Sequence, residues 1–155
     1  MKKPLPVGVD NFQKMRLQGY YYVDKSLFIK ELLDLKGEVN LFTRPRRFGK
    51  TLNLSMLRYF FEDTGNTEKN EQNKELFRGM KIMDEGETYT RQMGKYPVIN
   101  LTLKSAKQED FETAYYMIQA ELASEFERHR EIIEHGKQSL AVKEYEQYIS
   151  IADEK

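Results

Sequence analysis

The chain has 155 residues, in which 25 lysines and arginines balance 25 aspartates and glutamates, with two histidines and no cysteine. That length suits one domain with a real core, and a zero net charge supplies no global field for nucleic acid or an anionic membrane, so any anion site must be local. A charged fraction of 32% and a mean hydropathy of −0.74 describe a water-facing exterior; no run approaches the roughly 20 apolar residues of a membrane span, and disulfide or thiolate-metal frameworks are excluded.

The opening MKKPLPVGVDNF lacks the long apolar stretch and small-residue cleavage site of a secretory signal, so the expected location is the cytoplasm. In Tyr20-Tyr21-Tyr22, an extended backbone sends Tyr20 and Tyr22 to one face and Tyr21 to the other, as an amphipathic edge requires. A stacking platform for single-stranded nucleic acid is the alternative, and the neutral charge disfavours it. Asp24 and Ser26 are candidate N-caps for a helix carrying Phe28, Leu32 and Leu35 at helical spacing and ending before Gly37. Glu38 to Thr43 reads as a buried parallel strand, and Thr51 to Glu62 as a helix.

Between that strand and that helix stands Arg44-Pro45-Arg46-Arg47-Phe48-Gly49-Lys50-Thr51. The phosphate-loop pattern is Gly, four residues, then Gly-Lys-Ser/Thr, which puts Arg44 where the first glycine stands. Gly49 lets the backbone approach an anion, and the amides that follow add the partial positive charge of a helix start. Lys50 is placed to reach the outer phosphates, and the Thr51 hydroxyl to ligate magnesium, which takes few protein oxygens. Arg46 and Arg47 are open between phosphate contacts and pairing with acids such as Asp24. Phe48 reads as a packing residue, because the main chain of such a loop is what meets phosphate. A basic turn that merely caps a helix is the competing reading.

Further on, Asp63 to Asn73 is almost devoid of apolar residues and reads as an exposed loop, followed by a brief helical segment near Lys74 to Arg78. Gly86 to Lys95 is undecided, and Pro97 to Thr102 is a second candidate for a buried strand. From Glu109 to about Glu134, Phe111, Tyr115, Ile118, Leu122, Phe126 and Ile133 mark a long amphipathic helix, with Glu109 and Asp110 as its capping acids. Gly136 breaks it, and Tyr145, Tyr148, Ile149 and Ala152 mark a last helix. His129 and His135 miss the i, i+4 spacing of helical zinc ligands and read as ordinary surface residues.

Four blocks in order, PLPVGVDNF, YYYVDKSLFIKELL, FTRPRRFGKTLNLSMLRYFF and YPVINLTLK, resemble the AAA-ATPase-like domain family of microbial proteins, most clearly from Pro4 to Lys104. The resemblance implies an α/β fold: a P-loop NTPase-like parallel sheet flanked by helices, incomplete here, with a helical C-terminal part. It implies one domain over 1–155, the N-terminal portion of the family's, with the loop at 44–51 and the helical segment at about 109–155. Arginine at the first-glycine position is usual in the family's variant Walker A loop. The implied cofactors are ATP and Mg2+, held by Arg46, Arg47, Phe48, Gly49, Lys50, Thr51 and Leu52, with Thr51 on the metal; the block Tyr22 to Ser26 is expected near the base or ribose.

Relatives also carry an acidic Walker B strand, and often a C-terminal PD-(D/E)XK nuclease-type domain, neither of which has a counterpart before Lys155. Catalytic residues are therefore unassigned, and the sequence supports nucleotide binding and leaves hydrolysis in doubt. The alternative is an interaction or regulatory fragment with a vestigial loop, docking on a protein partner or a further domain through the helices after Glu109. Neither nucleic acid nor a membrane is an expected partner.

Overall fold

The structure, a computed structural model, describes residues 2–45 and 47–153. It divides into two compact units, 1–62 with 68–96 and 63–67 with 97–155. The expectation of a parallel sheet is overturned: helix takes up 56% of the chain, and the β pairing among the described residues is a single parallel bridge, Glu62 to Tyr96.

The first unit is built on α1 (Phe12–Leu17), α2 (Leu27–Leu35), α3 (Lys50–Phe61), α4 (Thr67–Glu75) and α5 (Glu87–Thr90), with a 3-10 turn at Lys81–Asp84. Its core gathers Phe12, Ile29, Met56, Phe60, Leu76, Phe77, Met80, Ile82 and Met93. Phe77 lies between Phe12 and Phe60, with ring centroids 5.0 and 5.2 Å away, so one aromatic cluster joins α1, α3 and the turn after α4. Asn11 caps α1 by accepting from the Lys14 amide, and the Phe12 amide donates to Ser55 Oγ at 3.0 Å. Arg16 then donates to the carbonyls of Leu76 and Arg78, fastening α1 to that turn.

Asp24 and Ser26 do more than open α2. Asp24 accepts from the amides of Ser26 and Lys81, each at 2.8 Å, and the fully buried Ser26 Oγ accepts from the Ile82 amide. The two side chains therefore tie α2 to the 3-10 turn, which carries the buried Ile82 into the core. Within α2 the buried residue is Ile29, with Phe28 and Leu33 packed beside it, whereas Leu35 is exposed and the left-handed residue that ends the helix is Lys36. Lys30, Asp34 and Tyr89 close a hydrogen-bonded triangle between α2 and α5.

Both expected strands lack ladder partners. Val39 and Leu41 are 90% and 85% exposed, so the apolar run that reads as a buried strand has no sheet to enter; Phe42 packs edge-on against Phe28. Pro97 to Thr102 likewise forms no strand pairing. Its Asn100 and Thr102 amides are taken instead by the carboxylates of Glu125 and Glu121. A parallel pair needs a neighbouring strand reached by a long crossover, and within each unit no second extended segment is paired with these. The stretch read as a loop, Asp63 to Asn73, contains most of α4. Apolar periodicity could not reveal it, since its pairs are polar, Gln72 with Glu68 and Lys74 with Glu71.

The second unit is helical: α6 (Phe111–Arg128), α7 (Arg130–Gly136) and α8 (Val142–Asp153), with a 3-10 turn at Lys137–Ser139. Asp110 caps α6 by accepting from the Thr113 amide at 2.7 Å, as its position suggests. The single long helix is in fact broken at His129, which is buried, not a surface residue, with Nδ1 on the Glu125 carbonyl. The buried side of α6 holds Ala123 and Glu125, whereas Phe111 and Tyr115 are exposed. Arg128 binds Glu125 and the Val98 carbonyl, each at 2.6 Å. Gly65, left-handed at φ 75°, passes so close to α7 that a Cβ would stand 2.9 Å from the Ile132 amide. Among the described residues, no helix is long and apolar enough to cross a membrane.

Burial pushes the Asp24 carboxyl up, but the hydrogen bonds from the Lys81 and Ser26 amides outweigh it and hold the group below its ordinary range. Replacing a half-exposed acceptor of two amides, Asp24→Ala, is expected to cost about 1 kcal/mol in urea unfolding at pH 7. Because the folded-state value is depressed, that contribution is complete above the unfolded value of about 3.9 and disappears as pH falls through the folded one. The gap between wild type and variant should therefore close below about pH 4; a gap independent of pH would contradict the role given to this carboxylate.

Candidate functional site at the start of α3

The site begins with how α3 is seated. Met56 and Phe60, both fully buried, anchor its C-terminal half, while Lys50 and Thr51 at its start are exposed. Asn53 makes the first intrahelical bond, donating to the Gly49 carbonyl at 2.9 Å, and Gly49 provides no side-chain cap. The amides of Lys50, Thr51 and Leu52 thus have no partner within the helix, which is the condition that lets a helix start hold an anion.

The loop does not turn at Arg44. Phe48 donates its amide to the Pro45 carbonyl, and the reversal is completed by two left-handed residues, Arg47 at φ 69° and Gly49 at φ 74°. For Arg47 this conformation costs roughly 1 kcal/mol that a glycine does not spend. The missing first glycine is thus replaced by strain three residues later, a substitution invisible to motif counting.

Arg47, Gly49, Lys50, Thr51 and Leu52 line one cavity of about 910 Å³, together with Pro6, Val7, Gly8, Val9, Asp10 and Met15. Arg46 lies outside the described residues. Phe48 is 59% exposed and is not among the lining residues, so the packing role expected for it is not seen. Lys50 Nζ donates to the Arg44 carbonyl at 2.6 Å, folded back over its own loop. Of the block Tyr22 to Ser26, Tyr22, Val23 and Lys25 line an adjoining cavity with Gly49 and Leu52, while Asp24 and Ser26 are engaged in the α2 lock. Tyr22 sends its hydroxyl to Met56 Sδ, and burial raises its pKa.

Sequence reasoning missed the contribution of Pro6 to Asp10. The signal was present, since PLPVGVDNF is one of the blocks carrying the family resemblance, but no spacing rule connects it to a loop forty residues away. The donor set fits a polyphosphate with magnesium: three amides without helical partners, a mobile-length lysine side chain and an exposed threonine hydroxyl. Among the described residues, no group of three or more histidines or acids is gathered into a metal cluster.

These features describe an uncapped helix start that borders a cavity on a helical unit, and comparison gives the family. A sequence model of the family described as Predicted AAA-ATPase matches residues 6–155. The chain belongs to this AAA-ATPase-like family. It is also similar to an uncharacterized protein in the vnfD 5' region of Azotobacter chroococcum mcd 1, at 35% identity over 102 residues. That alignment takes in 65% of this chain and 17% of the relative, so the chain spans under a fifth of the protein it matches. No solved structure matches the chain significantly.

A Cβ at Gly49 meets nothing within 4 Å, so the demand for glycine there is conformational alone. Gly49→Ala should lower unfolding stability by about 1 kcal/mol through φ strain. An unchanged denaturation midpoint would show that the left-handed turn is not held in solution.

Proposed function

We propose that this chain binds ATP with magnesium through the 44–51 loop. The observation that carries the reading is the open start of α3, where three helically unpartnered amides, Lys50 and Thr51 line one cavity. In this reading the amides of Lys50, Thr51 and Leu52 donate to phosphate oxygens, and the Thr51 hydroxyl is turned to the metal. Lys50 exchanges the Arg44 carbonyl for the outer phosphates, a swap of one acceptor for a charged and therefore stronger one. Arg47, on the same cavity wall, adds a second cation. Magnesium supplies neutralisation of charge on the phosphate chain. The reading is confined to binding, with no hydrolytic step assigned.

Calorimetry of Mg-ATP on the wild type and on Lys50→Ala tests it. Binding should be lost or weakened by at least about tenfold, since a charge-assisted contact is worth about 1.5–3 kcal/mol. Saturating nucleotide, at a hundred times its dissociation constant, should stabilise the wild type by about 2.7 kcal/mol. Equal affinity in the two chains would sink the reading.

A second reading draws on the second unit, where Phe111 and Tyr115 stack at 5.9 Å on an exposed face of α6, with Ile99, Leu101 and Leu103 also exposed. Apolar surface of that kind marks contact sites, and here the chain would act by docking on a protein partner. Concentration-dependent sedimentation with no nucleotide effect on melting supports this reading over the first; a monomer at all concentrations contradicts self-association through that face.

A further inference from the structure

Lys50 also lines a second cavity, of about 240 Å³, bordered by α2, the segment 40–44 and α3. Its apolar surface comes from Phe28, Phe42 and Leu54, and the two phenyl rings meet edge-on with centroids 4.6 Å apart. Its charged residues are Arg44 and Lys50, and no carboxylate is among the residues that line it. The Arg44 guanidinium has no partner among the described residues, and the Lys50 ammonium has only the Arg44 carbonyl. Two cations thus stand beside an apolar cavity with no anion to meet them.

The chemistry narrows what can fill this space. Its volume exceeds the about 150 Å³ that admits benzene and falls short of the roughly 300 Å³ of drug-sized sites, which sets the ligand at about ten heavy atoms. A phosphate chain is a poor occupant, because oxygens turned toward Phe28, Phe42 and Leu54 find no donors there. A neutral hydrocarbon leaves both cations unmet. We propose that the cavity binds a small apolar carboxylate, its tail against Phe28, Phe42 and Leu54 and its head on Arg44 and Lys50, in competition with nucleotide for Lys50. A flat carboxylate takes two parallel donors from a guanidinium. Asn53, half-buried on the same wall, has a side-chain amide unbonded among the described residues and adds a neutral donor. Phe28 packs against the buried core, so one wall of the cavity is fixed before any ligand arrives and costs little ordering on binding. Competition follows because Lys50 lines both this cavity and the one at the start of α3, and one ammonium cannot serve two anions fully. The competition rests on the phosphate-loop reading; the carboxylate site does not.

Calorimetric titration of 3-phenylpropanoate, with 3-phenylpropan-1-ol as its uncharged counterpart, tests the site. Wild type should bind the acid saturably and the alcohol at least about tenfold more weakly. Leu54 is 49% exposed and lies outside the core cluster, so Leu54→Asn should keep its helical circular dichroism while losing about fivefold or more in affinity for the acid. Saturating 3-phenylpropanoate should weaken Mg-ATP binding by about fivefold or more, Mg-ATP should weaken the acid by the same factor, and acetate, which has the charge without the tail, should do neither. No saturable binding of the acid, equal affinity for acid and alcohol, or a folded Leu54→Asn chain that binds the acid as wild type does would each overturn the site. Acid and nucleotide that bind without affecting one another overturn the sharing of Lys50. A chain that binds 3-phenylpropanoate as described but not Mg-ATP supports the carboxylate site and overturns the loop reading, and the competition with it.

Discussion

The seating of α3 is the constraint on which the rest depends. Met56 and Phe60 sink one end of that helix into the aromatic cluster with Phe12 and Phe77, and the Phe12 amide bonded to Ser55 Oγ fixes its rotation against α1. With that end held, the other end projects from the core, and its first amides are left to a cavity instead of to a cap. The same α1 segment is continuous with Pro6 to Asp10, so the packing that anchors α3 also places the wall facing its N-terminus.

The candidate site therefore draws on sequence blocks that serve two purposes at once. In the block around Asp24 the work is divided: Asp24 and Ser26 bond the amides of Lys81 and Ile82, Tyr22 packs against the core and also lines the cavity beside Gly49, and Val23 and Lys25 line that cavity. Five consecutive residues thereby support the core and border that cavity together.

Much of the local structure was legible in the sequence. The helix after Gly49, the cap at Asp110 and the last helix are where periodicity and capping chemistry put them. What was not legible has identifiable causes. Glu38 to Thr43 and Pro97 to Thr102 have the composition of buried strands, but composition states a preference for neighbours and not their presence; Glu121 and Glu125 meet two of the second segment's amides in place of a strand. α4 is polar throughout and gives no apolar period to detect. Phe111 and Tyr115 follow helical spacing yet lie exposed, because spacing names a face without saying what covers it. Within the site, Gly49, Lys50 and Thr51 could be picked out by motif, whereas Arg47's left-handed turn and the wall from Pro6 to Asp10 arise from the fold and follow no spacing rule.

The central claim is that the first amides of α3 are open in the free chain and are taken by phosphate when nucleotide binds. Hydrogen–deuterium exchange resolved at Lys50, Thr51 and Leu52, with and without saturating Mg-ATP, addresses it most directly. The account predicts rapid exchange at these three amides in the free protein and slow exchange in the complex, with the buried half of α3 protected in both states. Slow exchange in the free chain, or exchange unaltered by nucleotide at all three positions, contradicts it.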